Sequence, residues 1–94
     1  MVSPYEVKSP KAHWTLIDVL FTNDDWALAI GEWDQKRRLA VRWNGAGDSI
    51  GNPMSRGIAT WFMLPNEFVE HIMPLIPKDK RQLADVLLKE RATA

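Results

Sequence analysis

The chain has 94 residues, 12 Lys and Arg against 12 Asp and Glu, and 46% hydrophobic residues. This length predicts one domain, and the apolar content with five tryptophans excludes a disordered chain, which lacks the apolar area to offset the entropy of ordering. The absence of cysteine excludes disulfides, thiolate nucleophiles and cysteine-rich zinc sites. The zero formal net charge limits any nucleic-acid site to a local patch, because duplex-DNA binders usually carry a basic excess.

The first twelve residues contain two prolines and no apolar run. We therefore expect a flexible N-terminal arm over residues 1–12, followed by a single α+β domain over residues 13–94. Nothing in the arm has the pattern of a secretory signal or a membrane span, so we expect a cytoplasmic protein. The apolar segment Trp14–Phe21 then favours a first strand, which ends at a polar turn.

A β-hairpin is the strongest pattern in the chain, because strand side chains alternate between two faces. Its strands are Trp26–Trp33 and Arg38–Trp43, joined by a polar turn. The bulky face carries Trp26, Leu28, Ile30, Leu39, Val41 and Trp43, and the small-residue face carries Ala27, Ala29, Gly31, Arg38, Ala40 and Arg42. We expect the bulky face to fill a core. The small-residue face is positively charged and would suit an extended polyanion, although an ordinary solvated face has the same pattern.

Strands precede helices in the rest of the chain. A long loop over Asn44–Arg56 leads to an alternating strand over Gly57–Leu64. Pro65 is typical of the first turn of a helix, and Asp79 is suited to cap a second helix. This order predicts an α+β fold with an antiparallel, curved four-stranded sheet followed by one or two C-terminal helices.

Five short motifs follow one another along the chain: Asp25-Trp26, Glu32-Trp33-Asp34, Arg42-Trp43-Asn44, Gly57-Ile58 and Pro65-Asn66-Glu67-Phe68. Their succession resembles bacterial members of the positive-cofactor-four family, which are related in fold to the Whirly and Pur proteins. The resemblance covers roughly Trp26–Ile76. It implies a curved four-stranded sheet, a helix that forms most of a dimer interface, and binding of single-stranded DNA across the strands without catalysis or a cofactor.

The resemblance places basic positions at Arg42 and Arg56 and strand aromatics at Trp33 and Trp43. The charge cluster at the hairpin turn adds Lys36, Arg37 and Arg38, and the small-residue faces add Trp61. The predicted nucleic-acid-binding residues are therefore Trp33, Lys36, Arg37, Arg38, Arg42, Arg56 and Trp61. Alternation favours core positions for Trp26 and Trp43. Exposed aromatic side chains stack on bases, so the predicted function is binding of single-stranded DNA or RNA by a cytoplasmic homodimer, with a transcription-related role.

Two other classes of function compete with this one. Asp34-Gln35-Lys36, with Asp18, Asp24 or Asp25 upstream, weakly resembles the carboxylates and lysine of metal-dependent nucleases. Alternatively, the chain is a protein-interaction domain without nucleic-acid binding, in which two amphipathic helices carrying Phe68, Ile72, Leu83 and Leu87 pair across a two-fold axis. His13 and His71 lack the spacing of paired metal ligands, so no metal site is predicted. No membrane partner is predicted either.

Overall fold

The computed structural model describes residues 1–90; residues 91–94 of the predicted domain lie outside the described residues. The strands and helices in this range are β1 (Trp14–Thr22), β2 (Trp26–Trp33), β3 (Lys36–Trp43), β4 (Met54–Ser55), β5 (Ile58–Ala59), β6 (Phe62–Met63), α1 (Val69–Ile72) and α2 (Lys78–Glu90). Short 3₁₀ turns lie at Pro4–Glu6, Asn66–Phe68 and Met73–Leu75. Within residues 1–90, no helix is long and apolar enough to cross a membrane.

The main sheet is antiparallel, with the strand order β1-β2-β3-β6, and the C-terminal helices follow it. The predicted α+β class and four-stranded sheet are therefore confirmed. Strands β2 and β3 pair from Trp26 opposite Trp43 to Trp33 opposite Lys36. Asp34 and Gln35 connect them with φ angles of 49° and 72°, the left-handed conformations that a two-residue hairpin turn requires.

The predicted strand Gly57–Leu64 is divided into two pieces. Its first half, β5, pairs with β4 in a separate small hairpin, and its second half, β6, pairs with Ala40 and Val41 of β3. Trp61 lies between the two pieces and is buried, with 5% of its surface exposed. The chain therefore passes from one sheet to the other around the buried Trp61, which the alternating sequence pattern does not encode.

The bulky face of the sheet packs against the C-terminal helices, as predicted. Its buried cluster consists of Leu20, Leu28, Ile30, Leu39, Leu64, Ile76 and Ala84. On α2, Leu83 and Leu87 were predicted to share the apolar face, but only Leu87 packs on the core, together with the buried Ala84. Leu83 and Val86 are 41% and 47% exposed. The helix expected after Pro65 is also interrupted, because 3₁₀ turns flank the four-residue α1.

The small-residue face is not open, which contradicts the expectation from sequence. Ala27, Ala29 and Ala40 have no exposed surface, and they pack with a second buried cluster that includes Val7, Trp14 and Trp61. The room left by small side chains is thus filled by the chain's own tryptophans, each of which buries a large apolar area. Val7, which lies in the predicted arm over residues 1–12, is buried in this layer, and Val2 packs against it.

Helix α2 is joined to the edge strand β1 by a polar contact. Lys80 Nζ donates to Asp18 Oδ2 at 2.9 Å and to the carbonyl oxygen of Val19 at 3.0 Å, while the Val19 N–H donates to Asp18 Oδ1. The hydrogen bond to Asp18 raises the pKa of Lys80 above its usual value. Pairing of a backbone group on β1 with a helix side chain protects part of an exposed sheet edge.

Candidate nucleic-acid interface

Four of the predicted site residues lie together at the β2–β3 turn. Trp33 pairs with Lys36 across the strands, and Arg37 and Arg38 follow on β3. Trp33 is half-buried and stacks on His13, with ring centroids 5.2 Å apart.

The cations in this group differ in availability. Arg37 donates to Glu32 Oε1 at 3.0 Å and to the Leu87 carbonyl at 3.1 Å, so its guanidinium ties the hairpin to α2. Arg38 donates to Asn66 Oδ1 at 2.7 Å. Lys36 is exposed. Lys36 is therefore the exposed cation of this turn, whereas Arg37 and Arg38 already form hydrogen bonds within the fold.

Arg42 is a buried structural residue, and the expectation that it contacts phosphate is wrong. Only 2% of its surface is exposed, and desolvation by burial lowers the pKa of its guanidinium. The guanidinium donates to the carbonyl of Thr60 at 2.6 Å, to that of Pro53 at 3.5 Å, and to that of Ile50. It fastens the loop 50–53 and the residue after β5 to the sheet, so its guanidinium is not available to a phosphate.

Trp61 and Arg56 differ in solvent exposure. Trp61 is buried and its Nε1 donates to the Val7 carbonyl at 2.6 Å, so its predicted stacking role is wrong as well. Arg56 is exposed in the β4–β5 turn, with a φ of 53°. The predicted set is thus not one continuous surface, because the accessible members lie at separate places on the molecule.

An open cleft lies at the end of the bulky face that the helices do not cover. It has a volume of about 650 Å³, and it is lined by Trp26, Val41, Arg42, Trp43, Asn52, Pro53, Met54 and Phe62. A volume of this size falls in the range of ligand-binding clefts. The sequence analysis did not identify this cleft.

Aromatic side chains cross the whole sheet at this end, one from each strand. Phe21 of β1 packs on Trp26 of β2 with ring centroids 5.2 Å apart. Trp26 pairs with Trp43 of β3, and Phe62 of β6 pairs with the β3 residue two positions before Trp43. Trp43 is 62% exposed and Phe62 is 58% exposed. The prediction that Trp43 is a core residue is therefore wrong, whereas Trp26 is half-buried.

Loop 50–53 forms one wall of the cleft and is fixed in place by backbone pairing. The Trp43 N–H donates to the Asn52 carbonyl at 2.7 Å, and the Asn52 N–H donates back at 3.1 Å. Gly51 has a φ of 78°, and a Cβ atom on it would lie 1.9 Å from the Trp43 carbonyl oxygen, so only glycine fits there. With the Arg42 hydrogen bonds, these contacts make the wall a preformed part of the fold.

Exposed charged residues lie close in sequence to two residues that line the cleft. Asp24 and Asp25 are exposed in the turn before Trp26, and the Asp25 carbonyl accepts a hydrogen bond from the Asn44 N–H. Arg56 is exposed two residues after Met54.

The carboxylates of the weak nuclease pattern are not brought together. Asp34 is hydrogen-bonded to His13 Nδ1 at 2.8 Å in the β2–β3 turn, and Asp18 is paired with Lys80. Asp24 precedes β2 and Asp34 follows it, so they are separated by an eight-residue strand, roughly 26 Å at ~3.3 Å per residue. Across residues 1–90, no group of three or more His, Cys, Asp or Glu side chains is arranged to hold a metal ion.

Comparisons of the chain with protein-family models, with curated proteins and with solved structures find no match. The resemblance to the positive-cofactor-four family therefore stays a prediction.

Proposed function

We propose that the protein is a non-catalytic cytoplasmic module that binds single-stranded nucleic acid at the aromatic end of its sheet. The observation that carries this proposal is the pair of exposed rings, Trp43 and Phe62, on adjacent strands beside an open cleft. Single-stranded DNA and RNA binders use aromatic side chains on antiparallel strands as stacking platforms, at ~1–3 kcal/mol per base. The binding surface is thus the bulky face, not the small-residue face.

A cation near the β4–β5 hairpin supports a path for the phosphate backbone. Arg56 is exposed in the β4–β5 turn, two residues after Met54, which lines the cleft. Phosphates that follow this side would stay away from Asp24 and Asp25, where like charge repels them. The bases would then point across Phe62 toward Trp43.

An anisotropy titration with labelled oligo-dA and oligo-dT at low ionic strength tests this proposal. Trp43→Ala and Phe62→Ala should each weaken binding about 5- to 150-fold, the equivalent of the ~1–3 kcal/mol of one stacked base. Tyr5→Ala is the matched control, because Tyr5 is an aromatic residue that is 53% exposed but does not line the cleft. Equal affinities for all three variants and the unmodified protein would contradict the proposal.

A second candidate function is capture of an apolar peptide with a basic flank. Its support is the apolar lining of the cleft together with the exposed carboxylates of Asp24 and Asp25, which directly precede the lining residue Trp26. Salt distinguishes the two functions, because nucleic-acid binding weakens steeply with salt through counterion release, whereas burial of apolar surface does not. If the protein does not bind oligonucleotides even at low salt, peptide binding is the better hypothesis.

The homodimer predicted from sequence also stays a proposal. Phe68, Leu75, Leu83 and Val86 of the C-terminal segments are 41–51% exposed and apolar. Pairing of two copies through these side chains would remove apolar surface from water. Sedimentation velocity at micromolar concentration should give the mass of two chains, and a single-chain mass would exclude this assembly.

A further inference from the structure

We propose that Met54 is a site of reversible oxidation and that its sulfoxide weakens binding of single-stranded nucleic acid in the cleft; the effect on binding rests on the proposed function. The chain has four methionines and no cysteine, so thioethers are its only sulfur groups. Met54 lines the cleft and is 46% exposed. A methionine with this much exposed surface is accessible to peroxides in solution, and its oxidation changes the surface that a ligand covers.

The other three methionines differ from Met54 in exposure or in position. Met63 and Met73 are partly buried and pack against the two core clusters, so we expect them to react more slowly. Met1 is 59% exposed but does not line the cleft. Met54 is therefore the methionine that combines an exposed side chain with a place in the cleft wall.

The fold holds Met54 in this wall. The carbonyl of the preceding residue, Pro53, accepts a hydrogen bond from the Thr60 N–H at 3.1 Å, and Met54 itself pairs with β5. Side chains alternate along the β4–β5 hairpin, so Ile58, opposite Ser55, lies on the face away from Met54. A polar group introduced at Met54 therefore stays in the wall of the cleft, whereas one introduced at Ile58 lies outside it.

The oxidant in this proposal is hydrogen peroxide. Its O–O bond breaks, one oxygen atom forms a bond to the Met54 sulfur, and the other oxygen leaves as water; the sulfur loses two electrons and the peroxide gains them. The product is a polar sulfoxide, and a base that covers it removes its oxygen from water. Binding should therefore weaken about tenfold, in the range expected for a polar group buried without a hydrogen-bond partner. Methionine sulfoxide reductases with a dithiol remove the oxygen as water and restore the thioether.

The test treats the protein with dilute hydrogen peroxide, maps sulfoxides by peptide mass spectrometry and measures oligo-dT affinity by anisotropy at low ionic strength. Met54 should oxidise faster than Met63 and Met73, and the affinity should fall about tenfold and return after reductase treatment. Met54→Leu keeps an apolar side chain of similar volume without sulfur, so its affinity should not respond to peroxide. Met54→Gln should weaken binding without any oxidant. Ile58→Gln is its matched control, because Ile58 is 56% exposed in the same hairpin but does not line the cleft.

The outcomes separate the inference from the function beneath it. Oxidation of Met54 no faster than that of Met63 and Met73 would overturn the oxidation site. Complete conversion of Met54 with unchanged oligonucleotide affinity, or equal affinity losses in Met54→Gln and Ile58→Gln, would overturn its control of the cleft and leave nucleic-acid binding intact. Failure of the untreated protein to bind would overturn the proposed function and the effect on binding, whereas the sulfoxide map would still test the oxidation site.

Discussion

Replacement of Arg42 by methionine gives the sharpest test of how the cleft wall is built. The substitution keeps an unbranched side chain, although a shorter one, and removes the donors to the Thr60, Pro53 and Ile50 carbonyls. A hydrogen bond from a charged donor is worth ~1.5–3 kcal/mol, and the 3.5 Å contact to Pro53 adds little. The other two bonds therefore predict a loss of ~3–6 kcal/mol in the free energy of unfolding.

This loss is a large share of the total stability. A chain of 94 residues is expected to have ~5–14 kcal/mol in all, at ~0.05–0.15 kcal/mol per residue. Arg42→Lys should lose less, because it keeps the charge but not the planar fork that reaches two carbonyls at once. Urea denaturation followed by tryptophan fluorescence and far-UV circular dichroism measures both changes.

Arg56 supplies the internal control for this measurement. The sequence predicts phosphate contact for both arginines, but the structure buries one and exposes the other. Arg56→Gln should change the free energy of unfolding by no more than ~0.5 kcal/mol, as is usual for surface substitutions. A loss below ~1 kcal/mol in Arg42→Met, or equal losses at both positions, would refute the role assigned to Arg42.

Three other substitutions probe the covered face and the edge of the sheet. Gly31→Ala should lower the free energy of unfolding by more than ~2 kcal/mol and change the near-ultraviolet circular dichroism spectrum, because the added Cβ would lie 2.5 Å from the ring of Trp14. An unchanged urea midpoint would contradict this packing. Trp61→Phe removes a 2.6 Å hydrogen bond to the N-terminal segment, and we expect faster amide exchange there. Folding raises the pKa of Lys80, so the Lys80–Asp18 pair stabilises the folded state at pH values below the unfolded pKa of 10.5. This stabilisation is lost as the pH rises through the pKa of Lys80 in the folded state. Lys80→Met should therefore reduce the alkaline loss of stability seen in pH-dependent unfolding, and an identical alkaline profile would contradict that role.

Local patterns in the sequence were sufficient to predict the hairpin and the fold class. Alternation between Trp26 and Trp43 places each side chain on its face. The predicted turn over Asp34, Gln35, Lys36 and Arg37 is two residues too long, because the second strand already begins at Lys36. The order of strands before helices likewise predicts the α+β arrangement. These features depend on neighbours in the chain, which a sequence displays directly.

The candidate site depends on contacts between distant segments, and the sequence did not reveal it. Trp61 bonds to Val7, 54 positions earlier, and this contact closes the face that looked open. The bulky face looked closed, but the C-terminal helices leave Trp43 exposed at its end. Alternation tells which residues share a face of the sheet, but it does not tell which part of that face another element covers.

The indole N–H signals of the five tryptophans report most directly on which face of the sheet binds nucleic acid. In a ¹⁵N-correlated NMR titration with oligo-dA, we predict the largest shifts for Trp43 and then Trp26, with little change for the buried Trp14 and Trp61. Shifts centred on Trp33 would move the binding surface to the β2–β3 turn. The absence of any indole shift under saturating oligonucleotide would contradict binding at the aromatic cleft.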